Sequence, residues 1–233
     1  MTLMALSALP DPTHAARRIR LLMLLRRSGI VDHRVLSAVE TVPREAFVPH
    51  ALQDRAYEDT ALPIGRGQTI SQPFIVALMT QALAVTDRHK VLEVGTGSGY
   101  QAAILTRLCR RLYTIERHRP LLDHAMAQLD DLRITNITGI VGDGLKGWPS
   151  QAPFDRVIVT AAGADQAPPP ALVDQLAVGG ILVIPLTKPN RSQYLFKITK
   201  TADGLESEEL CPVRFVPLLP NIATAQAGSY EPE

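Results

Sequence analysis

The chain has 233 residues, of which 46% are hydrophobic and 20% charged, and its formal net charge is +1. This length and composition predict one globular domain and exclude extended disorder and fibrous repeats. Because the charge is balanced, it supplies no general field for a polyanionic partner, and we expect neither nucleic-acid nor membrane binding.

The N-terminal region gives no sign of export or membrane insertion. Residues 3–10 are apolar, but Arg17, Arg18 and Arg20 follow them, whereas a secretory signal has its positive charges first. No stretch approaches 18 uncharged apolar residues, so we expect no spanning helix and a cytoplasmic protein.

Residues 14–42 alternate apolar and basic positions at helical spacing and predict two helices. Gly29 should end the first and Asp32 should cap the second. Residues 43–73 are rich in Pro and Gly and predict an ordered loop that leads into a helix, with Pro73 as its first helical residue.

From Lys90 onward, short β-branched segments alternate with helical patterns, which is typical of parallel strands joined by crossover helices. After Pro185, two further strands predict an antiparallel pair at the end of the sheet. We therefore expect an α/β, Rossmann-like doubly wound fold with a mostly parallel seven-stranded sheet and an N-terminal helical extension. The predicted strands are 90–95, 111–116, 136–141, 155–160, 180–185, 193–199 and 208–216, and the predicted helices are 98–109, 119–130 and 170–177.

A glycine-rich turn follows the first of these strands, with glycines at 95, 97 and 99. Glycines let the backbone turn tightly and approach a ligand, and the turn opens a helix whose amides suit a polar group. The turn alone fits either a dinucleotide or another nucleoside ligand. The dinucleotide fingerprint places its third glycine three positions after the second, so the spacing here favours a nucleoside without pyrophosphate.

Two carboxylates follow the next two strands and should lie at the same sheet edge. Glu116 can accept hydrogen bonds from ribose hydroxyls, and Asp143 can accept one from an adenine amino group. Alone, Glu116 fits a helix cap and Asp143 fits an ordinary turn residue. Together with the glycine turn they favour an adenosyl ligand.

At this point the sequence resembles the class I S-adenosylmethionine-dependent methyltransferases, and more closely the protein-L-isoaspartate O-methyltransferase family. The resemblance spans residues 17–218 and includes a segment before the glycine turn that generic methyltransferases lack. The matching segments are 42–49, 61–64, 67–73, 142–144, 147–149, 154–162, 179–185 and 213–218.

The resemblance implies methyl transfer from S-adenosylmethionine to the α-carboxyl of L-isoaspartyl residues in damaged proteins, which begins their repair. It assigns Ser71 to orient the acceptor carboxylate, together with Val216, Pro217 and Leu218 in the substrate site. Leu219 and Pro220 follow where the family often has a polar residue. The residues expected at the cofactor are Thr69, Ile70, Glu93, Gly95, Thr96, Gly97, Gly99, Glu116, Asp143 and Gly144.

On sequence alone, Ser71 is better explained as the cap of the helix that begins near Pro73, and only the family resemblance favours a role in positioning the acceptor. Other acceptors, such as a small metabolite or RNA, and a non-catalytic nucleoside-binding module remain alternatives. The scattered histidines lack ligand spacing, so no metal is expected.

We expect one domain over residues 1–233 and a monomer. Residues 14–73 would form the helical and acceptor-loop extension, residues 90–218 the cofactor-binding core, and residues 219–233 a flexible tail.

Overall fold

Two helices open the described part of the chain, which is residues 12–224 of the computed structural model. Helix α1 spans Pro12–Arg27 and helix α2 spans His33–Thr41. Gly29 lies between them with φ +97°, and the side chain of Asp32 accepts a hydrogen bond from the amide of Arg34 at the start of α2. Both predicted boundary signals are therefore confirmed.

The segment before the main sheet contains a small hairpin that the sequence patterns did not predict. Strands β1 (Leu62–Gly65) and β2 (Gln68–Ile70) pair antiparallel. They are too short for alternation to be visible, and the residues that join them adopt positive φ, a turn conformation. Helix α3 (Pro73–Leu83) follows and begins at Pro73 as predicted.

The main sheet confirms the predicted fold class. Its seven strands lie in the order β5-β4-β3-β6-β7-β8-β9. Only β8 runs against the others, because β8 pairs antiparallel with both β7 and β9. The elements are β3 (Lys90–Val94), α4 (Tyr100–Thr106), β4 (Arg111–Glu116), α5 (Arg119–Asp131), β5 (Ile137–Val141), β6 (Phe154–Val159), α6 (Pro170–Asp174), β7 (Leu176–Thr187), β8 (Gln193–Lys200) and β9 (Leu205–Val213).

Alternating side chains of the central strands build a separate core on each face of the sheet. Val91 and Ile158 face one core, which includes apolar residues of helices α1 to α4. Leu92 and Val157 face the other, which includes Leu172 of α6. Because these strands are buried on both faces, their sequences are continuous apolar runs rather than alternating apolar and polar residues.

After β9, residues 214–223 form a segment that we call the C-terminal strap. Its backbone pairs with Ala162 just beyond β6, and the amide of Ala223 donates to the carbonyl of Arg117 just beyond β4. The strap therefore crosses the carboxyl ends of the central strands. Part of the expected flexible tail is thus anchored, and residues 225–233 lie outside the described residues. Within residues 12–224, none of the helices has the length and apolarity needed to cross a membrane.

Candidate functional site

A pocket opens at the carboxyl ends of β3, β4 and β6, on the edge crossed by the C-terminal strap. The strand order reverses at β3, and crevices at such a switch point are the usual ligand sites of open α/β sheets. Of the fourteen predicted site residues, those that line this pocket are Thr69, Ile70, Ser71, Gly95, Thr96, Gly97, Glu116, Gly144, Val216, Pro217 and Leu218.

The glycine turn forms the floor of the pocket. Gly95, Gly97 and Gly99 all have positive φ, at +97°, +52° and +88°. A side chain at Gly95 would collide with the hydroxyl of Thr160, which donates to the Gly95 carbonyl at 2.7 Å. Gly95 is therefore required both for its backbone conformation and for the close approach of β6.

Glu116 is a buried carboxylate at the end of β4, and only 5% of the residue is exposed. One carboxylate oxygen accepts from the amide of Gly97 at 2.9 Å, and the other accepts from the amide of His118 at 2.9 Å. Each oxygen retains a further lone pair for a ligand hydroxyl. The hydrogen bond from Gly97 also fixes Glu116 relative to the glycine turn.

Glu93 lies beneath the turn and is not a pocket-lining residue. Its side chain is fully buried and accepts a hydrogen bond from the Thr114 hydroxyl at 2.6 Å, while its Oε1 atom has no partner within residues 12–224. Thr114 is in turn bonded to the Thr96 hydroxyl at 2.6 Å. Desolvation raises the pKa of the Glu93 carboxyl to about 8, despite the hydrogen bond from Thr114, so the group is protonated at neutral pH.

Ser71 lies between β2 and α3 and faces the same pocket. It does not cap α3, because the N-cap residue is Gln72 and the amide of Phe74 donates instead to the Asp59 carboxylate at 2.8 Å. The other oxygen of Asp59 accepts from the Gln72 side chain at 2.8 Å. Within the described chain the Ser71 hydroxyl makes no hydrogen bond, so it is available to a ligand.

The C-terminal strap supplies an apolar wall of the pocket through Val216, Pro217 and Leu218. The amide of Leu218 donates to the Ala162 carbonyl at 2.7 Å, and the Ala162 amide donates to the Val216 carbonyl at 2.8 Å. These paired bonds fix the wall to the end of β6.

Asp143, Gly144 and Gly99 complete the predicted set. The Asp143 carboxylate accepts from the Leu145 amide at 3.0 Å, and the residue is not among those lining the pocket. Gly144 lines it and has no room for a side chain against Val94. Gly99 is the N-cap residue just before α4, and an added Cβ would lie 3.1 Å from Ala125, so its role here is packing.

Sequence reasoning missed several pocket residues. His118 lines the pocket beside Glu116, and its buried Nε2 atom has no partner within the described range. Burial lowers the pKa of its imidazole. The sequence feature that could have indicated a pocket role for His118 is its position two residues after Glu116. The other pocket residues not predicted for the site are Gln68, Val76, Val94, Ser98, Tyr100, Gln101, Ile115, Arg117, Thr160, Ala161 and Leu219.

These groups suit an adenosyl sulfonium ligand. Val94 and Ile115 supply apolar surface, Glu116 supplies acceptors for hydroxyls, and the turn supplies backbone groups. Over residues 12–224, no group of three His, Cys, Asp or Glu side chains is arranged to hold a metal ion.

Comparisons with known proteins agree with this geometry. Residues 16–223 match the family model described as Protein-L-isoaspartate(D-aspartate) O-methyltransferase. The chain is 61% identical to a protein-L-isoaspartate O-methyltransferase of Rhodospirillum centenum, over 90% of this chain and 94% of the relative. It is 59% identical to one of Parvibaculum lavamentivorans, over 88% of this chain and 93% of the relative.

Solved structures give the same result. A protein-L-isoaspartate O-methyltransferase superposes with a TM-score of 0.77 at 28% identity, covering 88% of this chain and 67% of that one. A second match is a crystal structure from Plasmodium falciparum, named for the same enzyme and determined in complex with S-adenosyl-L-homocysteine. Its TM-score is 0.75 at 27% identity. That match covers 89% of this chain and 99% of that one. The chain belongs to the protein-L-isoaspartate(D-aspartate) O-methyltransferase family.

Proposed function

We propose that this protein transfers the methyl group of S-adenosylmethionine to the α-carboxyl of L-isoaspartyl residues in damaged proteins and peptides. The observation that carries the proposal is the Ser71 hydroxyl, which makes no hydrogen bond within residues 12–224 and faces the pocket that contains Glu116 and the glycine turn. A hydroxyl donor at the mouth of an adenosyl pocket suits a carboxylate acceptor.

The acceptor needs orientation rather than activation. A carboxylate with an ordinary pKa of about 3 to 4 is ionised at neutral pH, so no general base is required. Ser71 donates a hydrogen bond to one carboxylate oxygen and leaves the other free to attack. Val216, Pro217 and Leu218 exclude water from the line of attack.

S-Adenosylmethionine, when bound, supplies a sulfonium-activated methyl group whose transfer leaves S-adenosylhomocysteine and a methyl ester. The peptide nitrogen that follows the modified residue then attacks the ester carbonyl, expels methanol and closes a succinimide. Water opens that ring and returns part of the material to the normal aspartyl linkage.

We assign the cofactor contacts to the pocket as follows. Glu116 accepts from the ribose hydroxyls, and the turn from Gly95 to Gly97 supports the methionine end, which Thr69 and Ile70 cover. Asp143 is not a lining residue but directly precedes Gly144, which is one, and we assign its free carboxylate oxygen to accept from the adenine amino group. Glu93 and Gly99 act indirectly. Glu93 accepts a hydrogen bond from Thr114, which is bonded to Thr96 of the turn, and Gly99 is the N-cap residue of α4.

We further propose that the chain acts as one domain and as a monomer in the cytoplasm, without nucleic-acid or membrane partners. The balanced net charge of +1 supports the absence of nucleic-acid and membrane partners.

The test is incorporation of labelled methyl groups from S-adenosylmethionine into an L-isoaspartyl peptide and into its normal aspartyl twin. We expect labelling of the isoaspartyl peptide alone, because its chain continues through the side-chain β-carboxyl and leaves the α-carboxyl free. In the normal aspartyl twin the α-carboxyl is part of the peptide bond. Equal labelling of the two peptides, or none of either, would overturn the proposal.

A further inference from the structure

Arg44 is a fully buried arginine that the methyl-transfer chemistry does not require. It begins a short 3-10 turn, Arg44–Phe47, in the N-terminal extension. Within residues 12–224 no carboxylate approaches it closely enough for an ion pair. A buried charge without a direct counter-ion is costly, and a well-packed apolar side chain would avoid that cost. Stability alone is therefore a poor reason for arginine at this position.

The guanidinium of Arg44 is bonded to two backbone carbonyls. Its Nη2 atom donates to the carbonyl of Ser71 at 2.8 Å, and its Nε atom donates to the carbonyl of Ala56 at 2.8 Å. The first bond fixes the peptide unit that joins Ser71 to Gln72, and so restricts the direction of the Ser71 side chain. The second ties the same guanidinium to the N-terminal extension.

The same guanidinium lies over the ring of Tyr100, with its central carbon 4.7 Å from the ring centroid. Tyr100 is the first residue of α4 and follows Gly99 directly, so it is part of the glycine turn's own helix. Phe47, three residues after Arg44, packs edge-on against the same ring at 5.7 Å. Arg44 thus contacts both the residue expected to hold the acceptor and the helix that follows the cofactor turn.

We propose that Arg44 is a positioning residue for methyl transfer, which fixes the Ser71 peptide unit relative to Tyr100 and thereby aligns the acceptor with the cofactor. The inference rests on the proposed function for its catalytic consequence. A misplacement of about 1 Å can cost on the order of 100-fold in rate, so a rigid connection between the two halves of the site has a large effect on turnover.

Arg44→Lys is the first test, because lysine keeps the charge but cannot bond two carbonyls with the planar fork while stacking on a ring. We expect kcat on the isoaspartyl peptide to fall at least ~10-fold, while the dissociation constant of S-adenosylhomocysteine changes less than ~3-fold. Amide exchange in residues 66–76 should be faster than in the wild type, because the Ser71 carbonyl is no longer fixed.

Arg156→Lys is the matched control. Arg156 also donates to two backbone carbonyls, those of Ala84 and Asp155, but it does not line the pocket. We expect the kcat of Arg156→Lys, and the amide exchange of residues 66–76 in that variant, to equal those of the wild type. A loss of kcat in this control equal to that of Arg44→Lys would overturn the inference.

Tyr100→Leu tests the other contact and keeps the proposal falsifiable if Arg44→Lys does not fold. We expect kcat to fall in this variant as well. In the double variant kcat should fall by less than the product of the two single-variant factors. Unchanged kcat in either single variant, or cofactor affinity that falls in parallel with kcat, would overturn the inference. The exchange measurement needs no acceptor, so it tests Arg44 even if the isoaspartyl peptide proves not to be the substrate.

Discussion

Ser71 has a hydroxyl group that the local fold does not use. On sequence alone, capping of the following helix is the better explanation of Ser71, and only the family resemblance favours positioning of an acceptor. The structure assigns the cap to the Asp59 carboxylate, which approaches from fifteen residues earlier in the chain. No local sequence pattern reveals a cap from so distant a residue, so the capping of α3 by Asp59 could not be predicted.

Ser71→Ala should lower turnover on an isoaspartyl peptide by about 10- to 100-fold, the range for one hydrogen bond to a charged group. The free energy of unfolding should change by less than ~0.5 kcal/mol, since no cap is lost. Initial rates and thermal unfolding measure the two effects.

Asp59→Ala is the contrasting variant, and it should lose about 1 kcal/mol of stability because it removes the cap of α3. If Ser71→Ala kept wild-type turnover, the positioning role would be wrong. If it instead lost as much stability as Asp59→Ala, Ser71 would have a structural role after all.

Among the elements, the central strands were the most predictable and the short ones the least. Strand β4 matches its predicted bounds, and β3 and β5 differ by one residue at one end, because buried β-branched runs have few alternatives. Helix α4 is shorter than predicted and begins at Tyr100, since Gly99 adopts a left-handed conformation. Strand β9 begins three residues early because the turn before it closes tightly, with the Thr201 amide donating to the Gly204 carbonyl.

The glycine turn is the element whose function depends most on backbone shape. Gly95→Ala should reduce affinity for S-adenosylhomocysteine by at least ~10-fold, because the new methyl group forces Thr160 and the turn apart. Isothermal titration calorimetry measures the change.

Gly179→Ala provides the control for backbone strain alone. Gly179 also has positive φ, +79°, but an added Cβ there meets nothing within 4 Å. We expect a stability loss of about 1 kcal/mol with unchanged cofactor affinity. Equal affinity in the two variants would mean that the close approach of Thr160 to Gly95 is unimportant.

For the whole molecule, the buried acid Glu93 links stability to pH. Its pKa is about 8 in the folded protein against 4.5 for the ordinary group, so the unfolded chain binds fewer protons between these values. The stabilisation that Glu93 provides is complete below about pH 4.5 and is lost as the pH rises through about 8.

Glu93→Gln places a permanently neutral side chain at this position and should remove the loss of stability with rising pH. Its free energy of unfolding relative to the wild type should rise from pH 5 to pH 8, measured by urea denaturation without cofactor. Glu206→Gln, at an exposed position on β9, should show no such trend. A parallel pH profile for Glu93→Gln and the wild type would show that Glu93 is ionised in the folded state.

The C-terminal strap has a consequence for how the protein is made. The pocket draws on residues from Gln68 to Leu219, and the strap that completes its wall is the last of these segments to leave the ribosome. A nascent chain can form the glycine turn but not the finished pocket. A ligand that binds only the finished pocket stabilises only the finished fold. Chains that end before the strap therefore gain less stability from a ligand that contacts this wall, and they stay more exposed to proteases than the complete protein.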